Sequence, residues 1–93
     1  MQTIKVDGKV MSADEFQSAS GLTVGGWLNL EGCTGITELP EGLTVGGGLN
    51  LEGCTGITAL PEGLTVGGWL DLRGTGITAL PEGLTVGRKI FRD

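Results

Sequence analysis

From residue 21 onward, the chain consists of near-identical copies of one short unit. Full copies span residues 21–41, 42–62 and 63–82, and a partial fourth spans residues 83–93. A unit of 20–21 residues cannot bury its own apolar face, but stacked units close each other's cores. The repeat therefore predicts a mainly β, right-handed solenoid with one copy in each coil.

Within each copy, apolar residues alternate with small or polar ones. In the LNL of the first copy, Leu28 and Leu30 point the same way, because side chains along a strand alternate between its two faces. We expect these leucines to line the core and the residues around them to point outward. The outward positions in successive copies are Trp27, Asn29 and Glu31; Gly48, Asn50 and Glu52; Trp69, Asp71 and Arg73; and Lys89 and Phe91.

A second alternating segment, LTV, opens each copy and predicts a second short strand in each coil. The Gly-Gly pair that follows it in the three full copies permits a sharp bend. Prolines at positions 40, 61 and 81 end strand extension on the return path. Two strands in each coil make a three-sided β-helix an alternative to a horseshoe-shaped, leucine-rich-repeat-like solenoid.

The residues before the repeat are predicted to cap its first coil. The segment TIKVDGKVMS is typical of a β-hairpin that turns at its Asp-Gly pair. Ser12, followed three residues later by Glu15, resembles a capping box, which predicts one or two helical turns carrying Phe16. We therefore divide the chain into a cap, residues 1–20, and a repeat solenoid, residues 21–93.

The repeat sequence LNLEGCTGITELP resembles the leucine-rich repeat, above all the short bacterial type with LP in each turn. Strings of the form LTVGG followed by LxLxGTxITxLP also resemble those of bacteriophage and prophage repeat proteins. The resemblance covers residues 21–92. It implies a parallel β-solenoid that binds other proteins, such as a phage-encoded interaction or inhibitor protein. The third copy matches the family spacing best, through Leu70, Leu72, Thr75, Ile77, Leu80 and Pro81.

One feature of that family is missing from the repeat. Cys33, Cys54 and Thr75 stand where the family has its ladder asparagine. These side chains can still turn inward, although a thiol is a weak hydrogen-bond donor. The LTV strand of each copy is a second difference, and it is the reason why the three-sided alternative stays open.

Charge is distributed unevenly along the chain. Residues 1–72 carry two lysines against nine acids, a net charge of −7, whereas residues 73–93 carry four cations against two acids, a net charge of +2. The acidic body argues against binding to extended nucleic acid, because its carboxylates repel phosphates. The basic end permits a localised anion site.

We expect a cytoplasmic protein, in a bacterial cell or a phage-infected host. The N-terminal MQTIKVDGKV has no apolar signal region, and two cysteines without a secretory context are typical of a reducing compartment. No apolar run approaches the ~18 residues needed to cross a membrane, so no membrane partner is expected.

The residue types present argue against catalysis, a cofactor or a metal. The chain has no histidine, so no Ser–His or Cys–His pair can form. Glu31 and Glu52 lie on neighbouring rungs, about 4.8 Å apart at the backbone, but a repeat produces such pairs automatically. Cys33 and Cys54 stack in the same way and are expected to line the core, because two thiols without histidine make a poor zinc site.

Three functions are compatible with this pattern. We favour a non-enzymatic protein that recognises a protein partner through the outward face of the solenoid. The alternatives are a protein that binds a small anionic, nucleotide-like ligand near the basic end, and a purely structural module. The candidate binding residues are Trp27, Asn29, Gly48, Asn50, Trp69, Asp71, Arg73, Arg88, Lys89, Phe91 and Arg92.

The order Trp27, Gly48, Trp69 along one outward column predicts a gap between the two indoles. Two rungs separate the tryptophans by about 9.6 Å at the backbone, and Gly48 places no side chain between them. We predict that a flat group, from an aromatic or arginine side chain or from a base, enters this gap. In the alternative, each tryptophan folds over its own Gly-Gly bend.

The partial fourth copy predicts self-association. Ile90 aligns with the inward Leu70, whereas Phe91 aligns with the outward Asp71 and lies near a strand edge. An outward aromatic residue beside an unpaired edge favours the addition of a second subunit. We therefore expect a homodimer through the final strand.

Overall fold

The computed structural model describes residues 3–92 as a short β-solenoid with a cap at its N-terminal end. The cap consists of the antiparallel strands β1 (Thr3–Val6) and β2 (Lys9–Ser12) and the helix α1 (Ala13–Gln17). Each coil then contributes two strands of two residues. These are β3 (Thr23–Val24) and β4 (Leu28–Asn29), β5 (Thr44–Val45) and β6 (Leu49–Asn50), β7 (Thr65–Val66) and β8 (Leu70–Asp71), and β9 (Thr85–Val86) and β10 (Ile90–Phe91).

Strands of successive coils pair in parallel and form two four-stranded sheets. The first parallel sheet has the order β3-β5-β7-β9, and the second has the order β4-β6-β8-β10. Equivalent residues pair, so that Leu28 lies opposite Leu49, which lies opposite Leu70. The predicted solenoid is therefore confirmed, with strands on two sides of each coil. The third side, residues 33–40 in the first coil, contains no strand.

One apolar core runs through the stacked coils. Leu28 and Leu30 are fully buried, as the alternation predicted, and Ile36 and Leu39 close the third side of the first coil. The two cysteines lie in this core as free thiols. The buried core residues that the coils contribute are Val24, Leu28, Leu30, Cys33, Ile36 and Leu39; Leu43, Val45, Leu49, Leu51, Cys54, Ile57 and Leu60; and Leu64, Val66, Leu70, Leu72 and Ile77.

Two kinds of glycine shape each coil. Gly32, Gly42, Gly53 and Gly63, each of which follows a glutamate, have a positive φ, for example 73° at Gly32 and 77° at Gly53, a conformation that strains residues with a Cβ. The Gly-Gly pairs lie at the bend between the two strands of each full coil, as the sequence predicted, and close stacking is a second reason for glycine there. A Cβ at Gly46 would lie 2.5 Å from the carbonyl oxygen of Gly25, so the first position of the pair requires glycine because successive corners stack too closely there for a side chain.

The cap forms as predicted. Its hairpin turns at Asp7 and Gly8, both with positive φ. Ser12 begins helix α1, where its hydroxyl accepts a hydrogen bond from the Glu15 amide at 3.1 Å. Phe16 on this helix is fully buried and packs into the same core as the coils. The hairpin and helix therefore cover the end of the core at the first coil.

Two cap side chains satisfy backbone amides that have no preceding coil to bond. The Asp7 carboxylate accepts hydrogen bonds from the amides of Gly25 and Gly26, at 2.9 and 3.3 Å. The side-chain oxygen of Gln17 accepts one from the Thr37 amide at 2.9 Å. In the second coil, the corner amides donate to carbonyl oxygens of the first coil instead. The cap thus supplies acceptors in place of a missing coil.

We expect Asp7→Gly to lower the free energy of unfolding by about 1 kcal/mol, because it leaves two corner amides without their acceptor. Glycine adopts the positive φ of 48° found at Asp7 without a Cβ penalty, so the substitution introduces no new backbone strain. Asp7→Asn keeps one side-chain oxygen and should lose less. Urea unfolding followed by circular dichroism measures the difference, and equal midpoints for Asp7→Gly and the parent would refute this capping role.

Candidate functional site

The second parallel sheet presents its outward side chains in three columns, as the strand register dictates. The first column is aromatic at two of its four positions, the second is mostly amide and carboxylate, and the third is charged. The first column contains Trp27, Gly48, Trp69 and Lys89; the second contains Asn29, Asn50, Asp71 and Phe91; the third contains Glu31, Glu52 and Arg73.

The two tryptophans touch each other. The ring centroids of Trp27 and Trp69 lie 5.1 Å apart, and the ring planes meet at 63°, an edge-to-face arrangement. Such pairs are worth roughly 0.5–1.5 kcal/mol beyond the area they bury. The pair nevertheless remains open to solvent, with Trp27 58% and Trp69 44% exposed. The predicted open gap between them is therefore absent, because the indoles themselves close it.

Gly48 lies beneath the Trp27 ring. A Cβ built at Gly48 would come within 2.5–2.8 Å of three atoms of that ring, and one at Gly47 would come within 3.2 Å of a fourth. Trp27 therefore folds over the corner of the following coil. The missing side chain at Gly48 lets the indole lie flat on the backbone and reach Trp69.

A shallow pocket opens beside this aromatic pair, with a volume of about 250 Å³. Its floor is the glycine backbone of two successive corners, and its walls are the two indoles and Arg88. Arg88 occupies the second position of the Gly-Gly corner in the fourth coil, where its amide donates to the Gly68 carbonyl at 3.2 Å. Its guanidinium makes no ion pair with any residue between positions 3 and 92.

The second column turns its oxygens toward the backbone. Oδ1 of Asn29 accepts a hydrogen bond from the Glu31 amide at 3.0 Å, and Oδ1 of Asn50 accepts one from the Glu52 amide at 2.9 Å. Each is a local turn of the Asx type. These predicted binding residues therefore serve first to hold the turn that follows each strand of the second sheet.

Arg73 links two neighbouring rungs of the outward face. It binds Asp71 through two hydrogen bonds, at 3.0 and 2.7 Å, and lies 3.6 Å from a carboxylate oxygen of Glu52. The Arg73 side chain holds the pKa of Asp71 below its usual value, because its hydrogen bonds favour the carboxylate. Arg73 is therefore already engaged with two carboxylates of its own chain.

The last strand carries the remaining outward aromatic residue. Phe91 is 37% exposed, and its ring centroid lies 5.8 Å from the Arg73 guanidinium carbon and 6.0 Å from the Lys89 nitrogen. Arg92 points elsewhere, since its side chain donates to the Thr78 carbonyl at 3.4 Å. Strand β10 is an edge strand of the second sheet among the described residues. The homodimer through this strand stays a prediction.

The two thiols lie away from this face. Burial raises the pKa of both Cys33 and Cys54, and the Cys54 thiol donates to the Leu30 carbonyl at 2.8 Å. Raised pKa values keep both groups protonated and poorly nucleophilic at neutral pH. Within residues 3–92, no three potential metal-binding side chains lie together.

A second shallow pocket, of about 200 Å³, lies on the strandless third side between the first and second coils. Its walls come from the TELP and TALP segments and include Glu38 and Glu41. It has no aromatic wall and no cation, and the sequence did not single it out.

Sequence reasoning missed the glycines that form the floor of the first pocket. They are Gly46, Gly47, Gly67 and Gly68. A signal for them exists, because each Gly-Gly pair directly precedes the aromatic column in sequence. Arg88, by contrast, was among the predicted residues and does line the pocket.

Comparison with known proteins adds no assignment. No family model, no curated protein and no solved structure matches this chain. The likeness to leucine-rich repeats is therefore a likeness of sequence pattern. Within residues 3–92, no helix is long and apolar enough to cross a membrane.

Proposed function

We propose that this protein is a non-enzymatic binding protein that recognises a partner protein through the outward face of its second parallel sheet. The observation that carries this proposal is the contact of Trp27 with Trp69, whose ring centroids lie 5.1 Å apart while about half of each side chain remains exposed. Large aromatic groups left open to solvent mark interaction sites, and tryptophan is enriched among residues that dominate binding energy.

The closed aromatic pair favours a partner that covers it over a ligand that inserts into it. A flat base or ring between the indoles would first have to break their edge-to-face contact. A protein surface can cover the outer faces of both rings and leave that contact intact. The neighbouring carboxylates also support binding over catalysis, because Asp71 and Glu52 are both paired with Arg73.

One observation favours a second function, the binding of a small anionic ligand. Arg88 lines the pocket beside the tryptophans and has no carboxylate partner among residues 3–92. Capture of a small anion at this site would weaken steeply with added salt. An interface centred on the aromatic pair would weaken much less, so the salt dependence of binding separates the two functions.

A double variant tests the protein-binding function. A partner is captured from a cell lysate on the immobilised protein, purified, and titrated against parent and variant by calorimetry. The double variant Trp27→Ala, Trp69→Ala should weaken binding about 30-fold or more. This is at least the effect of losing one strong hot-spot residue. The matched control is Val10→Ser in the cap, since Val10 is 62% exposed but lies away from the pair. Parent-like affinity in the folded double variant would contradict the proposal.

A further inference from the structure

The pocket beside Trp27 and Trp69 is of a size that selects its occupant. Its volume of about 250 Å³ lies below the ~300–1,000 Å³ typical of sites that enclose a drug-sized ligand. A whole nucleotide therefore does not fit within it. One apolar side chain does, resting on the glycine backbone of the floor and against the two indoles.

The floor itself favours close approach. The corners that form it have no Cβ at Gly47 or Gly68, so a ligand group meets backbone directly. Because an apolar group seated in the pocket loses water on the side of the floor and of the two indoles, its transfer from water is more favourable than on a flat surface. The floor therefore sets a preference for a compact aliphatic side chain.

The cation at the pocket rim determines which charged group the ligand carries beside that side chain. Of the cations near the outward face, Arg73 is bound to two carboxylates, Arg92 is bonded to a backbone carbonyl, and Lys89 lies over the Phe91 ring. Arg88 lines the pocket, and its guanidinium has no ion-pair partner among the described residues. A planar guanidinium in this position is matched by a carboxylate, which it can bind through two hydrogen bonds.

Resting on the proposed protein-binding function, we propose that the recognised element is an acidic peptide segment of the partner. One aliphatic side chain of the segment seats in the pocket beside Trp27 and Trp69. A carboxylate on the same or the next residue, or at the chain terminus, pairs with Arg88. The two contacts together define a short apolar-acidic recognition sequence.

The test uses two probes that differ in a single charge, N-acetyl-leucine and N-acetyl-leucinamide. The chain has two tryptophans, so an ¹⁵N-labelled sample gives two indole N–H signals, assigned with Trp27→Phe and Trp69→Phe. Both signals should shift with each probe. N-acetyl-leucine should bind about two- to fivefold more tightly, the gain expected from one exposed ion pair.

Two variants, each with a matched control, localise the effect. Arg88→Gln should remove the preference for the carboxylate probe, whereas the matched control Lys89→Gln should retain it. Gly48→Ala should weaken both probes, because its Cβ would lie 2.5 Å from the Trp27 ring and displace it. Gly26→Ala is the control for the glycine change, since its Cβ meets only the Asp7 carboxylate, at 3.8 Å.

Equal binding of the two probes, or a preference that survives Arg88→Gln, would overturn the acidic-peptide proposal. So would the absence of any shift with either probe. Inorganic phosphate or acetate that shifts both signals as strongly as N-acetyl-leucine would also overturn it and favour a small anionic ligand. None of the first three results decides the protein-binding function, which is tested separately by the affinity of the partner for the double tryptophan variant.

Discussion

Gly46→Ala should destabilise the solenoid strongly, whereas Gly25→Ala should be almost neutral. The two glycines occupy the same position in successive copies of the repeat. A Cβ at Gly46 would lie 2.5 Å from the Gly25 carbonyl oxygen and 3.2 Å from its carbonyl carbon. These are backbone atoms, so relief requires the two rungs to separate and weakens the 2.7 Å bond from the Gly46 amide to the Val24 carbonyl.

The first coil lacks this restriction because no coil precedes it. A Cβ at Gly25 would meet only the Asp7 carboxylate, at 3.9 Å, an ordinary contact. Gly25→Ala should therefore leave stability unchanged or raise it slightly, by up to about 1 kcal/mol, since alanine restricts the unfolded chain. Gly46→Ala should lower the free energy of unfolding by about 2–4 kcal/mol, because the added methyl group is packed against backbone atoms that cannot move aside.

Thermal unfolding of the two variants measures this difference directly. A loss of 2–4 kcal/mol in a domain of this size corresponds to a fall in Tm of roughly 10–30 °C. The comparison removes the intrinsic effect of a glycine-to-alanine change, because both variants share it. If both variants melt within a few degrees of the parent, close stacking does not explain the Gly-Gly pairs.

The coil architecture was predictable because it follows from spacing alone. Residues 20 or 21 positions apart have nearly the same neighbours in the sequence, so equivalent positions must stack. The inward direction of Leu28 and Leu30 then follows from strand alternation. The cap was predictable for a similar reason, since Asp7-Gly8 and the pair Ser12 and Glu15 act on their own local backbone.

The aromatic pair was predictable in position but not in geometry. Strand spacing places the Trp27 and Trp69 backbones about 9.6 Å apart, and this number suggested a gap. An indole is long enough to lean across one rung, and the direction in which it leans depends on its side-chain torsions. Gly48 permits that lean, so the same residue that suggested an open gap allows the indoles to close it.

Contacts between segments that are distant in the sequence could not be predicted from the repeat pattern either. The Asp7 carboxylate reaches amides 18 and 19 positions away, and no local motif indicates this. The pairing of Arg73 with Asp71 and Glu52 likewise depends on the rotamer that the Arg73 side chain adopts on a crowded face. It removes Arg73 from the cations available to a ligand and leaves Arg88 as the one that lines the pocket.

Phe16→Ala should remove about 3–5 kcal/mol from the free energy of unfolding, the usual cost of a deleted buried aromatic side chain. Phe16 is fully buried between the cap and the coils. Since a domain of this size is typically stable by only ~5–15 kcal/mol, the variant should be partly or wholly unfolded near 37 °C. The natural control is Phe91→Ala, which removes the only other phenylalanine of the chain.

Phe91 is 37% exposed and its closest polar partners are the cations of Arg73 and Lys89. Its removal should therefore cost at most about 1 kcal/mol, from lost cation–π contact and limited packing. Guanidinium chloride unfolding of both variants, followed by circular dichroism, compares the two losses. Equal losses would mean that Phe16 is no more important to the fold than a surface aromatic.

Hydrogen exchange can show where the loss of Phe16 acts. In a solenoid each coil is stabilised chiefly by its neighbours, so a weakened cap should loosen the first coil before the others. The Gly46 amide, bonded to Val24 of the first coil, should then exchange faster than the Gly67 amide, bonded to Val45 of the second. Uniform acceleration of both amides would instead indicate that the coils unfold as one unit, and that the cap stabilises all of them together.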